Sequence, residues 1–396
     1  MKQLQRRLLS IDVFRAVTML LMIFVNDFDG VTGVPEWIKH APANEDALGF
    51  ADIIFPAFLV IVGLSIPFAI RSRLHRRQST SRVFIYILER SLALLVMGFF
   101  HVNLENYSSA AFLPKPVWEI LITIGFFLIW LDYPEKVKRN TRYLLQAAGI
   151  VLLAIMAILY KGESATGVLV PMQPQWYGIL GLIGWSYIIC ASIYLFSKGK
   201  LAIQFIAWAL FFLFSVATHA HLLNWLQPVH RFVWIVGSGS MPAFTMAGVA
   251  VSVLYSTVAG KNRDALFWSL LIAFGVFNII IGFGTRPLDG ISKIHDTPSW
   301  VGICTGIAIL VFALMIYIVD IKEQTNWYKA IRPAGTSTLT CYLIPYILYS
   351  FYELFHFHFM PFLNEGIGGF IRSFATAFIV IWIAGWLEKK SIRIKV

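Results

Sequence analysis

Twelve mostly apolar stretches run along the chain, at 8–27, 50–70, 83–102, 115–132, 142–160, 176–196, 200–219, 232–256, 265–283, 298–320, 333–352 and 368–387. Each approaches the roughly 20 residues that a helix needs to cross the hydrocarbon core of a bilayer. The pattern predicts an all-α, polytopic transmembrane bundle of about 12 spanning helices, with 1–396 forming one domain. The eighth stretch is interrupted by Gly237, Gly239 and Pro242. No small-residue cleavage site follows the first run, Leu8 to about Val25, so it is expected to be retained as a helix and not removed as a signal.

Composition agrees with burial in lipid. Hydrophobic residues make up 58% of the chain and charged residues 13%, about half the charge of a soluble domain. The net charge of +11 would suggest nucleic acid on a soluble protein, but in a bundle of spans it reads as an orientation signal, and no nucleic-acid partner is expected. Alternate connections, starting with the N-terminus, carry 23 of the 32 Lys and Arg, in the groups Lys2 to Arg7, Arg71 to Arg82, Lys136 to Arg142, Lys198 and Lys200, Lys261 and Arg263, Lys322 to Arg332, and Lys389 to Lys395. The opposite connections carry Lys39, Lys115, Lys161, Arg231, Arg286 and Lys293. Both termini are therefore expected in the cytoplasm, which requires an even number of spans. Cys190, Cys304 and Cys341 lie scattered in apolar runs and read as small core residues. No metal is expected.

That orientation places segment 28–49 outside, where it is the longest connection and holds Asp29, Glu36, Lys39, His40, Glu45 and Asp46. Long ordered loops tend to carry function. At its edges, Asn26 closes the first helix and Asp52 opens the second. A His can act as base, a carboxylate can orient it, and an amide can donate to an oxyanion, so the candidate catalytic residues are His40, Asn26 and Asp52. A solvated loop histidine is the alternative.

Ionisable groups within spans are costly and become functional candidates. Arg15 and Arg90 each lie about 10 Å from the cytoplasmic ends of their helices, at 1.5 Å per residue. A shared arginine layer suits a phosphate-bearing ligand; alternatively, Arg15 pairs with Asp12 and Arg90 with Glu89 or a neighbouring carboxylate. Glu119 and Arg372 also fall within spans. His219 and His221, like His356 and His358, are two residues apart and make poor metal pairs. His295 lies in a polar external loop, 286–300. Gly-rich phosphate loops, paired-Cys motifs, His-Glu-x-x-His and Gly-x-Ser-x-Gly do not occur.

The segment from Ser10 to Asn26 (SIDVFRAVTMLLMIFVN), His40 with the following Ala-Pro-Ala-Asn, and FADIIFPAFLVIVG ending at Gly63 together resemble the heparan-α-glucosaminide N-acetyltransferase family, whose pattern reads D-x-F-R-G, V-N, H-x-x-W-N-G and A-D-x-V-F-P-x-F-x-F-x-x-G. Further on, GISKIHDTPSWV from Gly290 resembles x-I-N-K-x-L-W-T-P-S-F-V, and IRPAGTSTL from Ile331 resembles x-x-P-x-G-x-N-S-L. The resemblance covers roughly 1–130, the catalytic N-terminal helices, and 240–396; the segment 176–219 reads as an inserted helix pair beyond a ten-helix family core. Departures are Ala16 for Gly, Ala43 and Glu45 in the Trp-Asn-Gly triplet, and Ile122-Thr123 for a Gln-Arg pair on the fourth helix.

The resemblance implies a transmembrane acetyltransferase that takes acetyl-coenzyme A from the cytoplasm and acetylates an amino sugar or glycan on the far side. His40, Asn26 and Asp52 match its catalytic positions. Arg15 and Arg90 are the expected donor-binding residues. Lys293, His295, Glu45 and Asp46 are expected to line the acceptor pocket. Expected partners are the amino-sugar acceptor and the lipid bilayer, with a homodimer left open. The departures suggest a bacterial-type branch in an inner membrane, acting on glucosamine, another amino sugar or an envelope glycan. Competing readings are a sugar transporter without chemistry and an O-acyltransferase.

Overall fold

The computed structural model describes residues 8–226, 238–259 and 263–396. Each of the twelve apolar stretches coincides with a helix: α1 (Leu9–Phe28), α2 (Ala51–His75), α3 (Thr80–Val102), α4 (Lys115–Trp130), α5 (Arg139–Leu159), α6 (Gly178–Phe196), α7 (Leu201–His219), α8 (Ser240–Val258), α9 (Asp264–Gly284), α10 (Pro298–Met315), α11 (Thr338–Leu354) and α12 (Gly366–Lys389). Among the described residues, ten helices are long and apolar enough to cross a membrane. The other two, α4 and α11, have 16 and 17 residues. The chain is thus a multi-pass membrane protein built almost wholly from helices. A two-stranded hairpin, Gly162–Glu163 with Leu169–Val170, interrupts them between α5 and α6.

The eighth stretch was expected from residue 232; its first part lies outside the described residues, and α8 begins at Ser240. Lys2, Arg6, Arg7, His230, Arg231, Gly237 and Lys261 also lie outside them.

Two deviations from unbroken helix shape the end of the bundle where α1 begins. The stretch 298–320 leaves α-geometry after Met315 for a π-helical segment, Ile316–Ile321. That segment carries Asp320 to the start of α1, where its carboxylate accepts the N–H groups of Leu9 (2.9 Å) and Ser10 (3.3 Å). These are donors that every helix start leaves without an intrahelical partner, and the positive end of the helix dipole favours an anion there. The stretch 333–352 breaks at Ser337, leaving a five-residue helix, Arg332–Thr336, before α11. The break turns the Gly335 carbonyl toward α1, where Arg15 donates to it at 3.3 Å.

α2 lies at the centre, against α1, α8, α10 and α6. Its approach to α8 depends on glycine: a Cβ on Gly63 would sit 1.9 Å from the Thr245 carbonyl oxygen, and one on Gly248 would sit 2.0 Å from that of Val60. Any side chain there would force the helices apart.

Candidate functional site

The 28–49 connection is fixed at both ends. Thr32 exchanges backbone hydrogen bonds with the start of α12, its N–H donating to Asn364 O (3.0 Å) and its carbonyl accepting from Gly366 (2.8 Å). Near α2, the Phe50 N–H donates to Trp37 O at 2.7 Å. Only glycine fits at residue 49, since a Cβ would lie 1.9 Å from the Lys39 carbonyl oxygen. The fold of this loop brings His40 over the first turn of α2.

There Asp52, 2% exposed, organises the site. Its Oδ1 lies 2.6 Å from His40 Nδ1. Its Oδ2 accepts the N–H groups of Ala41 (2.9 Å) and Gly49 (3.0 Å). The carbonyl of the same residue accepts from Trp300 Nε1 at 3.1 Å, so α10 fixes the helix end from behind. A buried carboxylate with this many donors holds one position. Since Oδ1 accepts from Nδ1–H, the neutral ring keeps its lone pair on Nε2.

Lys293, on the connection between α9 and α10, completes the cluster. Its Nζ lies 3.2 Å from His40 Nδ1, 3.5 Å from Nε2 and 3.9 Å from Asp52 Oδ1. Burial lowers its pKa, and the charge of Asp52 opposes that shift. The sequence placed Lys293 in an acceptor pocket; the structure brings it against the imidazole.

Asn26 does not join this hydrogen-bonded group. It is exposed, and among the described residues its side chain makes no hydrogen bond. The next residue is engaged: Asp27 pairs with Arg372 at 3.3 Å and accepts from the Tyr349 hydroxyl at 2.9 Å. The intramembrane Arg372 is thus tied to the end of α1. Glu119 likewise accepts from Ser350 on α11 at 2.9 Å.

The other acceptor-side candidates divide. Asp46 clamps two loops together, accepting from Arg286 Nε (2.8 Å) and from the Ile291 N–H (2.7 Å). Those two donors hold its carboxyl below the usual carboxylate range. His295 Nε2 meets the Ala43 carbonyl at 3.1 Å and joins the same two loops. Glu45 is exposed. Sequence reasoning missed this clamp because its partners are about 240 residues apart. It also passed over Asp296, next to His295 in the same polar loop.

At the opposite end of α1 and α2 lies a cavity of about 630 Å³, lined by Arg15, Ser65, Arg90, Tyr187 and Lys395, among others. The two arginines expected to share a layer therefore share a chamber. Arg15 pairs with Asp12 at 3.1 Å and donates to Ser65 Oγ at 2.5 Å. The pairing of Arg90 with Glu89 does not form: Glu89 is exposed, and Arg90 donates to the Tyr86 hydroxyl at 3.2 Å with its guanidinium 4.9 Å from the Tyr187 ring centroid. Its Nε is buried without a partner. A cation surrounded by aromatic rings and lacking a carboxylate suits an anionic ligand. Toward His40 the lining reaches Met22 and Phe58; Met22 is about 6 Å along α1 from Asn26.

Comparison with known proteins gives two findings. Residues 7–203 match a family described as Domain of unknown function (DUF5009). A 101-residue segment, 26% of this chain, is 41% identical to the heparan-alpha-glucosaminide N-acetyltransferase of Homo sapiens. The corresponding identity to that of Mus musculus is 38%. The match spans 14% of the length of each relative. Together these findings support the family resemblance over a part of the chain.

Proposed function

We propose that the protein is a membrane acetyltransferase that moves an acetyl group from acetyl-coenzyme A, bound at the Arg15–Arg90 end, to the amine of an amino sugar or glycan at the His40 end. The observation that carries this reading is the pairing, along the same two helices, of an arginine-lined cavity at one end with a His–Asp–Lys cluster at the other. The relatives over the matched segment are named N-acetyltransferases, and that activity is extended here to the chain.

In this reading twelve helices span the bilayer, both termini face the cytoplasm, and the donor enters from there. Arg15 and Arg90 bind its phosphates. Eleven residues of α1, about 16 Å, separate Arg15 from Asn26, a distance suited to an extended pantetheine arm. His40 Nε2 is the general base, Asp52 fixes its tautomer and stabilises its protonated form, and Asn26 donates to the carbonyl oxygen as charge builds there. Lys293, beside the imidazole, adds positive charge where the oxyanion and then the thiolate develop. Glu45 is free to meet the acceptor, while Asp46 and His295 shape the pocket by holding its loops. The reading concerns a single chain and includes no homodimer.

Transfer of radiolabelled acetyl from coenzyme A to a panel of amino sugars and hydroxyl acceptors tests this. Labelled N-acetyl sugar is the expected product. Uptake of sugar into proteoliposomes without any acetylation would replace the reading with a transporter, and label on oxygen would make the protein an O-acyltransferase.

A further inference from the structure

A second cavity, of about 570 Å³, lies where α2 ends and α3 begins. Three charged side chains line it: Arg73 from the last turn of α2, Arg82 from the first turn of α3, and Glu89 two turns further along α3. Opposite charges lining one cavity would be expected to pair. Among the described residues, none of the three forms an ion pair. Arg73 donates to Gln78 at 3.4 Å and lies 3.3 Å from the Tyr86 ring centroid. The side chains of Arg82 and Glu89 make no hydrogen bond among the described residues.

Glu89 is the costly member. Its helix is one of the ten long and apolar enough to cross a membrane, and Ile85, Leu88 and Leu92 around it are all exposed. Their spacing of three and four residues puts them on one helical face. In a multi-pass protein such a face meets acyl chains. Glu89 lies about 13 Å along the helix from Thr80, and a carboxylate on that face is unfavourable until a cation joins it. The two arginines, without carboxylates of their own, suit a phosphate. One occupant satisfies all three groups if it carries a phosphate, an amine that donates to Glu89, and apolar chains that continue over Ile85, Leu88 and Leu92.

We propose that this cavity binds the phosphoethanolamine headgroup of a membrane phospholipid. Its phosphate meets Arg73 and Arg82, its ammonium meets Glu89, and its acyl chains follow the exposed face of α3. A glycerol headgroup has no cation for Glu89, and a choline headgroup has no N–H to donate. The site adjoins the arginine-lined cavity and is separate from it. Tyr86 lines this cavity, while Arg90, which donates to the Tyr86 hydroxyl at 3.2 Å, lines the other. The inference does not depend on the acetyltransferase reading.

The test uses the purified full-length protein, delipidated in detergent, with lipid binding read by native mass spectrometry. Short-chain phosphatidylethanolamine, phosphatidylcholine and phosphatidylglycerol with identical acyl chains are titrated separately. Phosphatidylethanolamine should bind about fivefold more tightly than either of the others, the upper end of what one exposed ion pair supplies. Glu89→Gln should abolish that preference, and Glu89→Asp should keep part of it. Arg73→Gln combined with Arg82→Gln should weaken binding of all three lipids. Melting temperatures without lipid that match the wild type show that the variants fold. A wild type that binds the three lipids equally or prefers phosphatidylglycerol overturns the proposal, as does a Glu89→Gln variant that keeps the preference. Competitive displacement of phosphatidylethanolamine by coenzyme A would also overturn it, because the cavity would then belong to the donor.

Discussion

His40 and Asp52 are 12 residues apart in sequence and 2.6 Å apart in space, Nδ1 to Oδ1. The intervening loop folds back so that the carboxylate, seated in the first turn of α2, collects a ring nitrogen and two backbone N–H groups. Being buried, Asp52 cannot exchange those donors for water. It acts as the template on which the loop and the imidazole are set.

Asp52→Asn keeps the shape of the side chain but turns an amide NH₂ toward donors. Transfer should fall on the order of 10⁴-fold, the scale seen when the His-orienting Asp of a catalytic triad becomes Asn. Coenzyme A affinity, at the far end of α2, should stay unchanged. Steady-state transfer with calorimetric donor binding checks both, and wild-type turnover in this variant would show that Asp52 does not orient the base.

Arg15 and Arg90 line one cavity but stand on different footings. Arg15 already has Asp12, Ser65 and Gly335, whereas Arg90 has only tyrosines. Arg90→Ala should therefore weaken coenzyme A binding by about tenfold or more, the worth of a charge-assisted contact, and Arg15→Ala should also weaken it. Sugar affinity should not move in either. Equal donor affinity in wild type and both variants would make the arginines structural partners only.

The helices were legible because apolar length is a local property, so each of the twelve stretches coincides with a helix. The break at Ser337 and the π-helical segment before Lys322 were not, because both are set by what the backbone must reach, Arg15 in one case and the start of α1 in the other. At the site, His40 and Asp52 could be read as a pair because both flank one loop. The approach of Lys293 and the Asp46–Arg286 clamp depend on the packing of α9 and α10, which no sequence spacing encodes.

The orientation inferred from 23 basic residues on one set of connections has a direct check. In a cysteine-free background, His40→Cys should react with an impermeant thiol reagent added outside cells, and Arg76→Cys only after permeabilisation. The reverse pattern would invert the orientation and put the donor cavity on the wrong side for cytoplasmic coenzyme A.

The Asp46 clamp is pH-sensitive in a definite direction. Because the Ile291 N–H and Arg286 lower its folded-state pKa, its stabilisation is fully present above the unfolded value near 4. It is lost as pH falls through the lowered folded value. Hydrogen exchange across 36–48, corrected for intrinsic rates, should accelerate in that acidic window. In Asp46→Asn the acceleration should already be present at neutral pH. Exchange matching wild type at pH 7 in that variant would show that other contacts hold the loop.

His40 carries the heaviest prediction. Its Nδ1 is committed to Asp52, its side chain is 30% exposed, and its Nε2, with Lys293 Nζ 3.5 Å away, is the ring atom that would meet an incoming amine. His40→Ala should abolish transfer while leaving coenzyme A binding intact, because the arginines lie at the other end of the helices. A structural role would also reduce activity, so rescue is the decisive readout. In His40→Gly, added imidazole can occupy the vacated volume beside Asp52 and Lys293 and should restore a measurable fraction of transfer, with a saturating dependence on imidazole. Failure of rescue in a folded, donor-binding variant, or near-normal turnover of His40→Ala, would remove His40 as the base. Incubation of wild type with labelled acetyl-coenzyme A and no sugar separates the two routes that remain. Direct transfer leaves His40 unmodified, whereas label recovered on its imidazole makes His40 a nucleophile that passes the acetyl group on in a second step.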